Sequence, residues 1–295
     1  MGVLSFGSVK FLVLDEADRM LDMGFEEAIR AIIGECPKAE ARQTLLFTAT
    51  WPREVQRLAD EFCPRSVHIA SGDSNTLSAN AAIVQNVQLV SGESAKAEAL
   101  GALFTRLFME PAPGAAAGPA ATAVKAGHGK AIVFVKFKAN ANKVAQLLWD
   151  AGFAVNTLHG DMEQRERTQV IGQFRTGEVR VLVATDVAAR GLDVKDVTDV
   201  INFDFPFGRN GCEDYVHRIG RTGRAGSAGS AWTFFDPRED GKNARGLVEL
   251  LVGAKQAVPE ELKALASRGF GGGSGGRGFG GGRGGRGGFR SKPRW

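Results

Sequence analysis

The sequence predicts an α/β protein: two unequal units built on parallel sheets, then a tail that stays disordered. Three observations carry that expectation. Short apolar runs of strand length alternate with longer amphipathic stretches, the pattern of strands joined by helical crossovers. A polar stretch at 71–82, bearing Ser, Asn and Gly, separates a short unit at 1–70 from a longer one at 83–257. Residues 258–295 carry too little apolar surface to form a core.

In the first unit, strands are expected near 9–14, 43–48 and 66–69, and helices near 24–35 and 53–62. The second helix opens at Pro52, a residue favoured in a first turn. So few elements make a thin core, and the unit reads as the later half of a domain. In the second unit, strands are expected at 84–90, 130–135, 153–158, 179–184, 197–202 and 229–235. Helices are expected at 95–108, 138–150, 163–176, 213–219 and 240–252. Residues 111–129, mostly Ala, Gly and Pro, read as a flexible surface insertion without chemistry.

Composition narrows the setting. The 295 residues are 43% hydrophobic and 24% charged, an ordinary globular balance, with no apolar run long enough to span a bilayer. Cys36, Cys63 and Cys212 are odd in number and form no Cys-x-x-Cys pair, which argues for a reducing compartment and against zinc or disulfides. Of the net charge of +4, the stretch from Arg268 to Trp295 alone carries +7, leaving −3 for the remainder. Electrostatic attraction to nucleic acid is therefore a property of the tail.

Two segments carry chemistry. Val9 to Leu14 is nearly all apolar and ends in Asp15-Glu16-Ala17-Asp18. A carboxylate just past a buried parallel strand lies at the sheet edge where open α/β folds bind ligands. Asp15 is suited to hold Mg²⁺ and Glu16 to orient or deprotonate a water. The competing reading is that Asp15 caps a following helix whose dipole Glu16 and Asp18 answer. The second segment runs from His217 to Arg224, where Arg221 and Arg224, three apart, can face one target. Arginines aimed at a transferring phosphoryl group accelerate reaction by roughly 10³–10⁵. The competing reading is a solvated basic helix end.

The order of these segments resembles the DEAD-box RNA helicases of superfamily two. Asp15-Glu16-Ala17-Asp18 matches motif II, and Thr48-Ala49-Thr50 stands where motif III has Ser-Ala-Thr. Ile132-Val133-Phe134 resembles motif IV, and Gln164 with Arg167 fits a Gln-x-x-Arg motif. Ala184 to Asp193 resembles motif V, and His217 to Arg224 motif VI. Thr48 to Val55, Ile201 to Asp204 and the Arg-Gly-Gly tail look closest to the p68-like subgroup.

The resemblance implies tandem RecA-like domains, the first incomplete, and ATP-dependent RNA remodelling by cleft closure. Asp15 would contact Mg²⁺ through water, and Glu16 would position the hydrolytic water. Asp18, Thr48, Thr50 and His217 would couple hydrolysis to closure. Arg221 and Arg224 would reach the γ-phosphate and Asp193 the ribose. Gln164, Arg167, Thr185 and Arg190 would hold the RNA sugar–phosphate backbone without reading bases. Gln164 also reads as a plain helix-start residue, and Thr48 and Thr50 as strand-end hydroxyls bonded to their own backbone. The loop at 207–212 looks longer than the family's and close enough to shift Arg221.

In the tail, Arg277, Arg283 and Arg286 alternate with Gly and Phe, suiting phosphate pairing, base stacking and protein partners. Seven charges on single-stranded RNA would give a salt slope of roughly −5. The family's Q motif and Gly-Lys-Thr phosphate loop have no counterpart in this sequence. This chain alone is therefore expected to be inactive as an ATPase. The alternative is a short RNA-binding and interaction module; a DNA translocase is more distant. A monomer in the nucleus or cytoplasm, the nucleus favoured, completes the expectation.

Overall fold

A computed structural model describes residues 4–70, 79–111, 122–124, 129–189, 194, 196–208, 210–224 and 226–268. The first unit is a parallel pair, β1 (Phe11–Leu14) and β2 (Gln43–Leu46), in register from Phe11↔Gln43 to Leu14↔Leu46. Its helices are α1 (Ala17–Asp22), α2 (Glu26–Gly34) and α3 (Arg53–Phe62). Leu14, Ile29, Ile33, Leu58 and Phe62 form its small core. Phe11, Val13, Leu45 and Phe47 of the strand pair remain exposed, Phe11 at 72%.

The expected strand at 66–69 does not form. The chain turns at Cys63–Ser66, with Arg65 in the left-handed region at φ 62°. His68 then stacks on Trp51 with ring centroids 4.5 Å apart, while Val67 and Ile69 point to solvent at 84% and 87% exposure. With no strand edge beside them, the β-branched residues have nothing to pair with.

The second unit is a six-stranded, all-parallel sheet in the order β3-β10-β9-β6-β8-β7. The strands are β3 (Ile83–Leu89), β6 (Lys130–Phe134), β7 (Val155–Leu158), β8 (Val181–Ala184), β9 (Val197–Asn202) and β10 (Gly229–Phe235). The central strand β6 is buried at every position, as a strand covered on both faces should be. Between β3 and β6 comes α4 (Glu93–Phe108), then the short antiparallel pair β4 (Met109–Pro111) and β5 (Thr122–Val124). That backbone pairing orders part of the stretch expected to be a featureless insertion; the rest of it lies outside the described residues.

Helices cover both faces. Those on one face include α4 and α5 (Lys138–Asp150), which bury Leu100, Phe104, Leu148 and Phe153 against Val133 and Val183. On the other, α6 (Gln164–Thr176) and the short α7 (Asp186–Ala189) pack Val170, Phe174 and Ala188 on Ile132, Phe134 and Leu182. A third cluster joins α8 (Gly211–Ile219) and α9 (Ala244–Gly253) to β3 and β10 through Ile83, Tyr215, Phe235 and Leu247.

The boundary of the tail moves. Residues 260–267 form α10 (Glu260–Ser267), opening after Pro259, with Leu262 fully buried in the cluster of Leu247, Leu250 and Leu251. The domain therefore runs on past 257, and the disordered tail expected from 258 does not begin there. Residues 269–295 lie outside the described residues.

Candidate functional site

The end of β1 delivers its carboxylates by a sharp turn. Leu14 is the last buried residue of the strand; Asp15 is exposed. Glu16 sits in the left-handed region, at φ 53° and ψ 48°, before α1 begins at Ala17. Asp15 does not cap α1: its Oδ1 accepts the neighbouring Glu16 N–H at 3.0 Å, and no side chain caps that helix. Both carboxylates are thus left to face a cleft.

Asp18 is buried and anchors the segment after β2. Its Oδ2 accepts from the Thr50 N–H at 2.9 Å and the Thr50 hydroxyl at 2.8 Å. Thr48 Oγ1 accepts the Asp18 N–H at 3.4 Å and donates to the Thr50 carbonyl at 2.8 Å. Each hydroxyl therefore serves the Asp18 cluster, and Thr48 also serves its own local backbone. His217 comes near from the second unit, lining the cleft with Thr48 and Ala49.

The opposite wall is α8 and the turn after it. An open cleft of about 310 Å³ is lined by Asp15, Glu16, Phe47, Thr48 and Ala49 on one side and by His217, Gly220 and Arg221 on the other. Arg221 Nη2 stands 3.8 Å from Glu16 Oε1, and its Nε donates to the His217 carbonyl at 3.2 Å. Arg224 Nε donates to the Gly220 carbonyl at 3.0 Å. Gly223, between the two arginines, has φ +65°, and a Cβ there would meet Ile83 Cγ1 at 2.7 Å. Only glycine lets this turn lie against β3.

Arg218, which carried no role in the sequence reading, is the residue that fixes the wall. It is 2% exposed and makes a bidentate pair with Asp186, Nε–Oδ1 2.5 Å and Nη2–Oδ2 2.7 Å. Its Nη1 donates to the Asp204 carbonyl at 2.6 Å and to Asn202 Oδ1 at 3.3 Å. The guanidinium lies 5.1 Å from the Phe134 ring centre. This buried fork ties the motif-V segment to α8. The available signal was the pairing of a lone acidic residue, Asp186, with an arginine on the apolar side of α8.

Two family models match this chain: a DEAD/DEAH box helicase domain over residues 2–58 and a helicase conserved C-terminal domain over 120–226. The chain belongs to the DEAD-box ATP-dependent RNA helicase family. It is 44% identical over 270 residues to DEAD-box ATP-dependent RNA helicase 40 of Oryza sativa subsp. japonica, covering 92% of this chain and 31% of that protein. It is 45% identical over 270 residues to the ATP-dependent RNA helicase-like protein DB10 of Nicotiana sylvestris, 92% of this chain and 40% of that one. Among solved structures it is similar to S. cerevisiae Dbp5 bound to RNA and ADP BeF3, with a TM-score of 0.68 and 28% identity over 89% of this chain and 65% of that one. The chain thus spans less than half the length of these two curated relatives.

Within this DEAD-box chain Gln164, Arg167 and Thr185 fall at the carboxyl edge of the second sheet, after β7 and β8. Gln164 is the first residue of α6 and is exposed; the capping box there is made by Glu163 and Glu166. Arg167 lies one turn on, and its Nε is sheltered with no hydrogen-bond partner. Thr185 follows β8, its N–H donating to the Leu158 carbonyl at 3.1 Å. Arg190, Asp193, Arg277, Arg283 and Arg286 lie outside the described residues. The three cysteines are free, and no described helix is long and apolar enough to cross a membrane.

Proposed function

We propose that this chain supplies the water-activating carboxylate and the arginine fingers of an ATP-dependent RNA helicase. The observation that carries the reading is Glu16 facing Arg221 at 3.8 Å across a cleft between the two units. Glu16 accepts the proton of the attacking water. Arg221 and Arg224 answer the negative charge that grows on the transferring phosphoryl group. ATP is the nucleotide, and Asp193 is the proposed ribose contact. Within the family, the p68-like subgroup is the closest fit.

Asp15 suits a hydrated Mg²⁺, because that ion keeps several waters and takes one or two carboxylates together with phosphate oxygens. Among the described residues no group of three or more His, Cys, Asp or Glu offers a tighter cage. Bound beside Asp15 through water, the ion would neutralise phosphate charge. RNA is proposed to lie along the sheet edge at Gln164, Arg167, Thr185 and Arg190, held by its backbone. The unpartnered Arg167 Nε supports that placement. Arg277, Arg283 and Arg286 are proposed to add RNA and protein contacts from the tail. A monomer acting in the nucleus or cytoplasm is the setting that fits.

The test joins the upstream part of a 44%-identical relative, including its phosphate loop, to this chain. The chimera should hydrolyse ATP in an RNA-dependent way, and Glu16→Gln should abolish turnover; the 295-residue chain alone is the control, expected to show none. A folded chimera without RNA-dependent turnover would overturn the reading.

A further inference from the structure

Two phenylalanines stand open to solvent side by side at the carboxyl edge of the second sheet. Phe137 follows β6 and is 53% exposed; Phe207 follows β9 and is 59% exposed, both with the first unit in place. Their ring centres are 6.4 Å apart and the planes tilt by 37°. Lys136 Nζ stands over both, 5.3 Å from the Phe137 ring centre and 5.2 Å from that of Phe207. Scattered exposed apolar side chains are ordinary on a protein surface, whereas these two adjoin and share one cation.

The run from Phe203 to Phe207 brings its last ring outside. Phe203 and Phe205 are buried, at 1% exposure each, and Phe207 stands past the end of the strand, before Gly208 turns the chain at φ +100°. The two loops are tied to each other. Asp204, itself buried, accepts the Lys136 N–H on Oδ2 at 2.9 Å and the Lys96 ammonium on Oδ1 at 2.9 Å. One carboxylate thus joins the end of β6 to the end of β9 and holds Phe137 beside Phe207.

The neighbours of this pair are the residues proposed to hold RNA. The sheet order β9-β6-β8-β7 sets Phe207, Phe137, Thr185 and then the loop leading to Gln164 in turn along one edge. The Val135 N–H donates to the Ala184 carbonyl at 3.0 Å, so Thr185 lies next to the start of the Phe137 loop. Lys138 pairs with Asp161, three residues before Gln164. Neighbouring strands are ~4.8 Å apart, so the edge from β7 to β9 is roughly 14 Å long, a span that one short single strand covers. The carboxylates nearby do not oppose an anion there: Asp161 faces Lys138, and Glu239 Oε2 lies 3.7 Å from Lys136 Nζ.

We propose that Phe137 and Phe207, with Lys136 beside them, are a stacking platform for the bases of single-stranded RNA. A base lays its π face on an exposed ring whatever its identity, so the platform adds grip without reading sequence. Backbone contacts at Gln164, Arg167 and Thr185 position the strand but take no hold of the bases. The inference rests on the proposed placement of RNA along this edge.

Binding of the full chain to a short oligouridine of about ten nucleotides tests it, at about 0.3 M salt, where the ion-pair contribution of the tail is small. Phe137→Ala and Phe207→Ala should each weaken binding roughly tenfold, with Phe207→Tyr close to wild type. The salt slope should be unchanged in both, because no phosphate contact is lost. An abasic ribose-phosphate oligomer of the same length should bind wild type and variants alike, which a damaged fold would not allow. Ultraviolet cross-linking of the oligouridine, mapped by mass spectrometry, should place a uracil on Phe137 or Phe207. Unchanged affinity in both variants, an equal loss for the abasic oligomer, or cross-links confined to other residues overturns the platform; the first of these would assign the rings to a protein partner. If the chimera shows RNA-dependent turnover while both variants bind oligouridine like wild type, the platform falls and the helicase reading stands. If the chimera is inactive while the tenfold losses hold, the helicase reading falls and the platform stands.

Discussion

At the scale of single residues, the wall of the cleft depends on one guanidinium. Arg218, itself buried, satisfies Asp186, Asn202 and the Asp204 carbonyl at once. Removing it leaves a carboxylate and a carbonyl without their donor, and truncating one side of a buried pair costs about 3 kcal/mol or more. Arg218→Ala is therefore expected to destabilise the second unit by that amount in urea melts. Arg218→Lys should recover only part of it, since an ammonium cannot make the two parallel bonds to Asp186. Asp18 plays the same part for the first unit, holding Thr50 by both backbone and hydroxyl.

At the scale of elements, the turn after β10 titrates. Burial pushes the Asp240 carboxyl up to about 6, although its Oδ2 accepts the Asp236 N–H at 2.9 Å. The unfolded chain gives up this proton at lower pH than the folded one, so folding binds protons between the two values. Stability from this group is full below pH ~4, falls by about 3 kcal/mol as pH rises to about 6, and is flat above. Asp240→Asn should flatten that slope in urea melts between pH 4 and 6.5 (roughly the span of the two values); an unchanged slope would assign it elsewhere. For α10, Leu262→Ala should cost about 2–4 kcal/mol, measured by the same melts.

What was legible at this scale follows burial. The central strands β6 and β8 announced themselves as short runs buried at every position, and each strand of the second sheet was found within a residue or two of its expected place. The strand at 66–69 misled because β-branched residues signal fit to a pleated surface, and here none is adjacent. Helix α7 was too short to show a period, and α10 was hidden by the Gly-rich run beyond it, although Leu262 and Leu265 already stood at helical spacing. The cleft residues were legible as motifs. The Arg19–Asp214 ion pair, 2.5 Å between Nη2 and Oδ1, was not, because neither residue has a local reason to meet the other until the two units dock.

At the scale of the molecule, the two units differ in how well they are covered. The second has three contiguous clusters around a six-stranded sheet. The first has one small cluster beneath a two-stranded sheet with Phe11, Val13, Leu45 and Phe47 open to solvent. Parallel pairs of that size have little independent stability. Amide exchange in the full chain should accordingly be much faster across β1 and β2 than across β6 and β8. Equal protection in both units would mean that the seam, with its ion pairs, stabilises the first unit as strongly as a core does.

The left-handed turn at Glu16 has a consequence for how such a chain could be improved. A residue with a Cβ held at φ 53° sits about 1 kcal/mol or more above its relaxed backbone. Glycine or asparagine would be more comfortable there. A library of variants selected only for heat resistance would therefore drift toward Gly or Asn at position 16, discarding the carboxylate that stands 3.8 Å from Arg221. Robustness and turnover pull this position in opposite directions, and the glutamate persists only where turnover is part of the selection.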